Sequence, residues 1–336
     1  MDMKAVFIAW DPELIQRFYF KKELIERMSA HAELDMNVIQ QDEWKEHADQ
    51  LKDADVVFTT WGMSKLTEEE IKEYFPKLKA IFYAAGSVQS FARPYLKNDV
   101  VISSSWKANA VPVAEHTLAL LLLAAKGFFQ VQRICKEDRK KSRDYVDTFP
   151  GFYGLNIGIL GAGMIGRKVI ELLKPFKCNV LVYDPFLTDE SAAEMGVTKV
   201  SSIEEVFEKC LIVSNHIANL PTTQKIITKA AFDKMADNGI FINTGRGQQV
   251  VEEDLIAALK EHPNRTAVLD VTWPEPPEAD SPFYTMDNVV LTPHIAGSHQ
   301  DEIGRMMEYQ VEEFERFVKG EPLLYSVTEK MLETMA

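Results

Sequence analysis

Three polar stretches in the second half of the chain carry residue types suited to one kind of chemistry. They are Thr244-Gly245-Arg246-Gly247, the segment 270–277 with Asp270 and Glu275, and Thr292-Pro293-His294. An arginine offers a fixed planar fork matched to a carboxylate. A histidine titrates near neutrality and can give and take a proton. A carboxylate beside it orients the ring and favours its protonated form. Those are the roles needed to move a hydride to or from an anionic carbonyl compound. Each stretch follows an apolar run that reads as a strand: 239–243, 266–271 and 289–291. In a parallel sheet the C-terminal ends of such strands share one edge, so the three stretches are expected to meet there.

A fourth stretch supplies the complementary part. The apolar run 157–160 leads into Gly161-Ala162-Gly163-Met164-Ile165-Gly166, and 167–174 then has helical spacing. Strand, GxGxxG and helix form the dinucleotide-binding pattern. Gly161 permits the tight turn, Gly163 lets backbone approach a pyrophosphate, and Gly166 allows close helix–sheet packing. The N–H groups of Met164, Ile165 and Gly166 are offered to phosphate. A second strand, 179–184, ends in Asp184, 18 positions beyond Gly166 (184 − 166). That is close to the usual place of the acid that binds the adenosine ribose. Pro185, Phe186 and Leu187 follow, with no cation for a 2′-phosphate, so NAD is expected rather than NADP.

The bulk properties narrow the class. With 336 residues, two domains are expected. A net charge of −14 without a basic tract argues against nucleic acid or an anionic membrane surface as partner. It also requires any anionic substrate to find a local cation. Cys135, Cys178 and Cys210 are scattered, which suits a reducing compartment and offers no metal or disulfide framework. The N-terminal residues lack a signal-peptide layout, and the apolar run 118–125 is short for a bilayer span, so a cytoplasmic protein is expected.

Along the chain, 3–105 alternates strands (5–10, 36–39, 56–60, 78–84, 100–102) with helices. One helix runs from Asp11-Pro12 towards Met28, and another is opened by the capping box Thr67 to Glu70. Such alternation implies a parallel sheet covered on both faces, with Gly86-Ser87-Val88 as a loop at a strand end. The segment 111–137 reads as one long helix, apolar nearly all round at its centre and so buried between domains or subunits. The region 300–319 reads as an amphipathic helix stopped by Gly320.

These motifs together resemble the D-isomer-specific 2-hydroxyacid dehydrogenases. The matching stretches are 110–123 (AVPVAEHTLALLLL), 157–166, Tyr183-Asp184-Pro185, 241–247 (FINTGRG), 269–277 (LDVTWPEPP) and 291–297 (LTPHIAG). The resemblance implies an α/β fold in which a Rossmann NAD-binding domain, 108–298, is inserted into a discontinuous flavodoxin-like substrate domain, 1–107 plus 299–336. It implies an NAD-dependent oxidoreductase acting on a 2-keto or D-2-hydroxy acid in the interdomain cleft, and a homodimer built largely through the NAD domains. By the same token Arg246 would bind the substrate carboxylate, His294 would be the acid/base and Glu275 its partner. The backbone of Gly86, Ser87 and Val88 would hold the carboxylate as well. Asp270 would hold the nicotinamide carboxamide. The cofactor set is completed by Pro185, His216, Ile217, Thr244, Gly245 and Gly297.

The chain departs from the family in three places. The AGxGxD loop reads Ala85-Gly86-Ser87-Val88-Gln89-Ser90, without its Asp. The HxPLTPET loop reads His216-Ile217-Ala218-Asn219-Leu220-Pro221-Thr222-Thr223. Val251 replaces a frequent Asp. An appended C-terminal regulatory domain is not expected. Plainer readings compete: Glu275 as part of a rigid proline turn, His294 as a loop histidine, Glu115-His116 as a buried packing pair and His299 as a rim residue. Trp61, Tyr83 and Trp106 line a side-chain pocket or belong to the core. The functional alternative is a non-enzymatic NAD-binding sensor of the corepressor type, which the same fold serves.

Overall fold

In the computed structural model, which describes residues 3–335, the chain forms two compact units: Met1–Ala110 with Ser298–Ala336, and Val111–Gly297. The strands of the first are β1 (Lys4–Ala9), β2 (Glu33–Gln40), β3 (Val56–Thr59), β4 (Ala80–Tyr83) and β5 (Val101–Ser104). Those of the second are β6 (Asn156–Leu160), β7 (Asn179–Tyr183), β8 (Thr198–Lys199), β9 (Ile212–Asn215), β10 (Ile240–Asn243), β11 (Thr266–Leu269) and β12 (Val289–Leu291). The chain then returns to the first unit with β13 (Ser326–Val327).

The first sheet has the order β13-β5-β4-β3-β1-β2. It is parallel except for β13, which pairs antiparallel to β5. Residues on β1 alternate between its faces: Val6 and Ile8 enter one core, Ala5, Phe7 and Ala9 the other. Phe7, Phe58 and Phe82 stack side by side across three strands, and Phe314 of the helix Asp301–Lys319 meets two of them edge-on at 5.1 and 5.4 Å. The same helix buries Glu313, whose carboxylate accepts hydrogen bonds from the Leu324 and Tyr325 N–H groups and the Ser103 hydroxyl. Gln89 and Arg93 donate to the carbonyl of Leu332, which ties down the segment that follows β13.

The second sheet, β12-β11-β10-β9-β6-β7-β8, is parallel throughout. It is a doubly wound Rossmann sheet whose order reverses between β6 and β9. Ligands of open α/β sheets bind in the crevice at such a reversal.

Several elements differ from the sequence reading. The helix from Pro12 breaks into Pro12–Phe18 and Lys22–Ser29, because the intervening turn lets consecutive aromatics Phe18, Tyr19 and Phe20 all reach the core beside Phe7. The long helix becomes Trp106–Ala125 and Phe128–Glu137. Gly127 separates them in a left-handed conformation, where any Cβ would strike the Phe149 ring. The polar stretch after it is helical too, Arg139–Val146, capped by Asp138. The apolar segment is also longer than the run 118–125: Trp106–Ala125 has 20 residues and is long and apolar enough, by length and composition, to cross a bilayer. Half of that window is buried inside the protein, and Ala114, Leu121, Ala124 and Ala125 pack on the Rossmann core, as in a core helix. The Thr67–Glu70 capping box and the Gly320 stop form as read.

Candidate active site

The dinucleotide turn sits at the reversal point. Gly161 has φ of 90°, and a Cβ there would lie 2.6 Å from the carbonyl oxygen of His216, so only glycine allows β6 to turn against the end of β9. Around Gly163 there is nothing within 4 Å of a Cβ position. This open space faces the start of the helix Met164–Leu173, whose first N–H groups are those of Met164, Ile165 and Gly166. A pyrophosphate fits that cradle. Asp184, at the end of β7, accepts from the Ala162 N–H at 2.7 Å and the Phe186 N–H at 2.8 Å, which places its carboxylate on the glycine turn. Pro185 beside it is exposed. Arg167 braces the turn from the helix by donating to the Ala162 carbonyl. The sequence reading had passed over this residue.

His216 is buried, with Nε2 2.9 Å from the Ser214 hydroxyl and Nδ1 without a hydrogen-bond partner. Burial lowers its pKa to about 3, so the ring is neutral. Its backbone, rather than its ring, lies against the glycine turn. Ile217 donates its N–H to Asn215.

Arg246 is placed by a buried amide network. Asn215 Nδ2 donates to Asn243 Oδ1 (3.0 Å) and Gln249 Oε1 (2.6 Å). Gly245 N–H donates to Asn243 Oδ1, Arg246 N–H to Gln249 Oε1, and Asn243 Nδ2 to the Arg246 carbonyl. Thr244 is buried, its hydroxyl 3.2 Å from that of Thr117. The Arg246 guanidinium donates to the Gly245 carbonyl. Gly247 packs flush on the chain after β11: a Cβ there would fall 2.0 Å from the Thr272 carbonyl carbon. Asn243 falls within the FINTGRG stretch, but Asn215 and Gln249 leave no periodic trace in the sequence and lie outside the motifs read there.

His294 and Glu275 meet. Nδ1 of His294 lies 2.6 Å from Glu275 Oε1, and both side chains are partly exposed. An ionised carboxylate only accepts, so Nδ1 is the donor in this bond. The bonds Trp273–Pro274 and Glu275–Pro276 on either side of Glu275 are cis. His294 has φ of 57°, unusual for a residue with a side chain. Asp270 holds it so. Its carbonyl accepts from the His294 N–H. Its buried carboxylate accepts from the Thr292 hydroxyl (2.6 Å) and from the Ile295 (2.7 Å) and Ala296 (2.9 Å) N–H groups. Through these bonds Asp270, which the resemblance assigns to the nicotinamide, also fixes the backbone of the His294 loop. Gly297 closes the loop, half-buried.

In the first unit, Gly86-Ser87-Val88 follows β4. The Ser104 hydroxyl contacts the carbonyls of Ala85 (2.9 Å) and Gly86 (2.7 Å), and Val88 is fully buried, so it offers only backbone. Tyr83 is core and packs on Phe91, while Trp61 and Trp106 are half-buried. Trp10, which the sequence reading did not single out, is 60% exposed at the end of β1. Glu115 is exposed and His116 half-buried, which corrects the reading of a buried pair. His299 is exposed, as expected for a rim residue.

Comparison with known proteins places the chain in a family. Residues 118–296 match the family "D-isomer specific 2-hydroxyacid dehydrogenase, NAD binding domain". D-3-phosphoglycerate dehydrogenase of Methanocaldococcus jannaschii is 33% identical over 283 residues, covering 82% of this chain and 52% of that protein. Glyoxylate reductase of Korarchaeum cryptofilum is 29% identical over 320 residues, covering 91% and 93%. The chain spans about half the length of the first curated relatives it matches. In fold it is similar to the apo D-mandelate dehydrogenase of Rhodotorula graminis (TM-score 0.79, 21% identity, 97% and 98% covered). An acyclic imino acid reductase solved with NADPH and D-Arg is similar too (TM-score 0.74, 24% identity, 97% and 100% covered). The chain belongs to the D-isomer-specific 2-hydroxyacid dehydrogenase family, and its second unit is the family's NAD-binding Rossmann domain.

Proposed function

We propose that this protein interconverts a 2-keto acid and its D-2-hydroxy acid with NAD(H) as cofactor. The observation that carries the reading is the 2.6 Å Glu275–His294 pair, standing with Arg246 on consecutive strand ends of a Rossmann sheet. Bound nicotinamide supplies the hydride, or takes it up in the reverse direction. Arg246 pairs with the substrate carboxylate and polarises the neighbouring carbonyl. His294 gives its Nε2 proton to the keto oxygen as the alcohol forms, and Glu275 stabilises the charged ring through Nδ1. Asp184 favours NAD because its carboxylate accepts from ribose hydroxyls and repels a 2′-phosphate. A homodimer belongs to the same proposal, supported by the exposed Leu123 and Phe128 at the end of one apolar helix and the start of the next.

The test is NADH oxidation with glyoxylate, hydroxypyruvate, pyruvate, 2-ketoisocaproate and phenylpyruvate, with NADPH as control. Turnover preferring NADH is expected. Tight NADH binding with no turnover of any of them would overturn the enzyme reading in favour of an NAD sensor.

A further inference from the structure

Glu252 opens the helix Glu252–Glu261, where a first-turn acid ordinarily serves the helix dipole. Here its carboxylate leaves the helix end, which Val251 caps without a side-chain bond, and accepts from the Trp273 N–H at 2.8 Å. Trp273 stands two residues before Glu275. The Thr272 hydroxyl donates to the Pro274 carbonyl within the same loop. On the other side, Gly247, one residue after Arg246, lies against the Thr272 backbone. The loop bearing Glu275 is therefore gripped at two adjacent residues by the segment 246–252, which begins with Arg246. The Asn215–Asn243–Gln249 network fixes that segment in turn.

We propose that Glu252 is a positioning residue for the Glu275–His294 pair, acting through the Trp273 N–H and setting the distance between the carboxylate and the imidazole. The inference rests on the reading of that pair as the acid/base centre. Partial burial, with Glu253 beside it, pushes the Glu252 carboxyl up to about 7. The titratable groups nearby in the chain are Glu253 and Asp254 on the same helical turn, Arg246 on the turn before it, and Glu275, Glu278 and Asp280 on the gripped loop. The grip thus has two strengths. A neutral carboxyl accepts an ordinary hydrogen bond from Trp273 below neutrality, and a carboxylate accepts a charge-assisted one above it.

The experiment compares the wild type with Glu252→Ala and Glu252→Gln in the full chain. It measures NADH affinity, kcat and KM for the best 2-keto acid across pH 5.5–8.5, and the 15N shift of His294 Nδ1. Glu252→Ala is expected to lower kcat about tenfold or more, the usual scale for a partner that orients a functional group, with NADH affinity unchanged. It is also expected to move the Nδ1 shift away from its protonated, carboxylate-bound value. Glu252→Gln keeps an acceptor for Trp273, so it should restore most of kcat and the Nδ1 shift while removing one ionisation near pH 7 from the kcat profile. Wild-type kcat and Nδ1 shift in Glu252→Ala would overturn the proposal, and so would a Gln variant as damaged as the Ala variant. Absence of keto-acid turnover in the wild type counts against the acid/base reading instead, and the Nδ1 shift then decides the positioning role by itself.

Discussion

The two parallel sheets end in opposite kinds of chemistry at their C-terminal edges. In the Rossmann unit that edge is held by buried amides and carboxylates: Asn215, Asn243, Gln249 and Asp270 each bond to a backbone group of a functional loop. In the first unit the buried hydroxyls at the strand ends turn back on carbonyls, Thr60 on Ala84 and Ser104 on Ala85 and Gly86, and the residues that stand out are Trp10 and Trp61. One edge orients ionisable groups to within a hydrogen bond. The other presents backbone and aromatic surface. Buried polar networks specify a single geometry because an unpaired member costs more than a paired one gains, so chemistry belongs on the first edge and shape on the second.

Four substitutions would break or sharpen that contrast. His294→Ala should lower kcat about a thousandfold with NADH affinity within a few-fold of wild type, as read by steady-state kinetics and NADH fluorescence titration. Retained turnover would remove the chemistry from the Rossmann edge altogether. In the first unit the comparable loss is structural. Phe314→Ala should cost about 3–5 kcal/mol by removing the buried ring that packs edge-on against Phe58 and Phe82, seen in denaturant unfolding. Asp184→Ala should weaken NADH about 10–100-fold and NADPH much less, because charge-assisted bonds to the ribose are lost. An unchanged NADH-to-NADPH ratio would show that the acid does not read the ribose.

The smallest effect is a pH dependence in the Rossmann unit. His216 has a pKa near 3 in the folded chain and about 6.5 unfolded, so the unfolded state binds the proton first. The stability from keeping the ring neutral is complete above pH 6.5 and is lost as pH falls towards 3. About 2 kcal/mol should go between pH 6.5 and 5. His216→Gln should flatten that slope in thermal melts, and an equally steep slope in the variant would assign the acid sensitivity elsewhere.

Much of this organisation can be read from residue order. GxGxxG with Asp184, the Thr67 capping box and the stop at Gly320 follow from local rules, since each is a short-range pattern with one physical solution; the meeting of Glu275 with His294, 19 positions apart on different strand ends, is expected from the family resemblance. What escaped detection is tertiary. The break at Gly127 answers to Phe149, far along the chain, and the split at Tyr19 answers to Phe7. The bonds by which the Asp270 carboxylate fixes Thr292, Ile295 and Ala296 join two different strand ends. Glu252 looks like an ordinary first-turn acid until the fold brings Trp273 to it.

The antiparallel β13 has a consequence for how this protein behaves among its own copies. A terminal strand of a sheet displays a row of unpaired N–H and C=O groups, a template for any second chain that offers an extended segment. On the β5 side that row is taken by Ser326 and Val327, held in place by the Glu313 carboxylate just before them. Glu313 is thus a guard against edge-to-edge aggregation, and Glu313→Ala should first show itself as concentration-dependent light scattering.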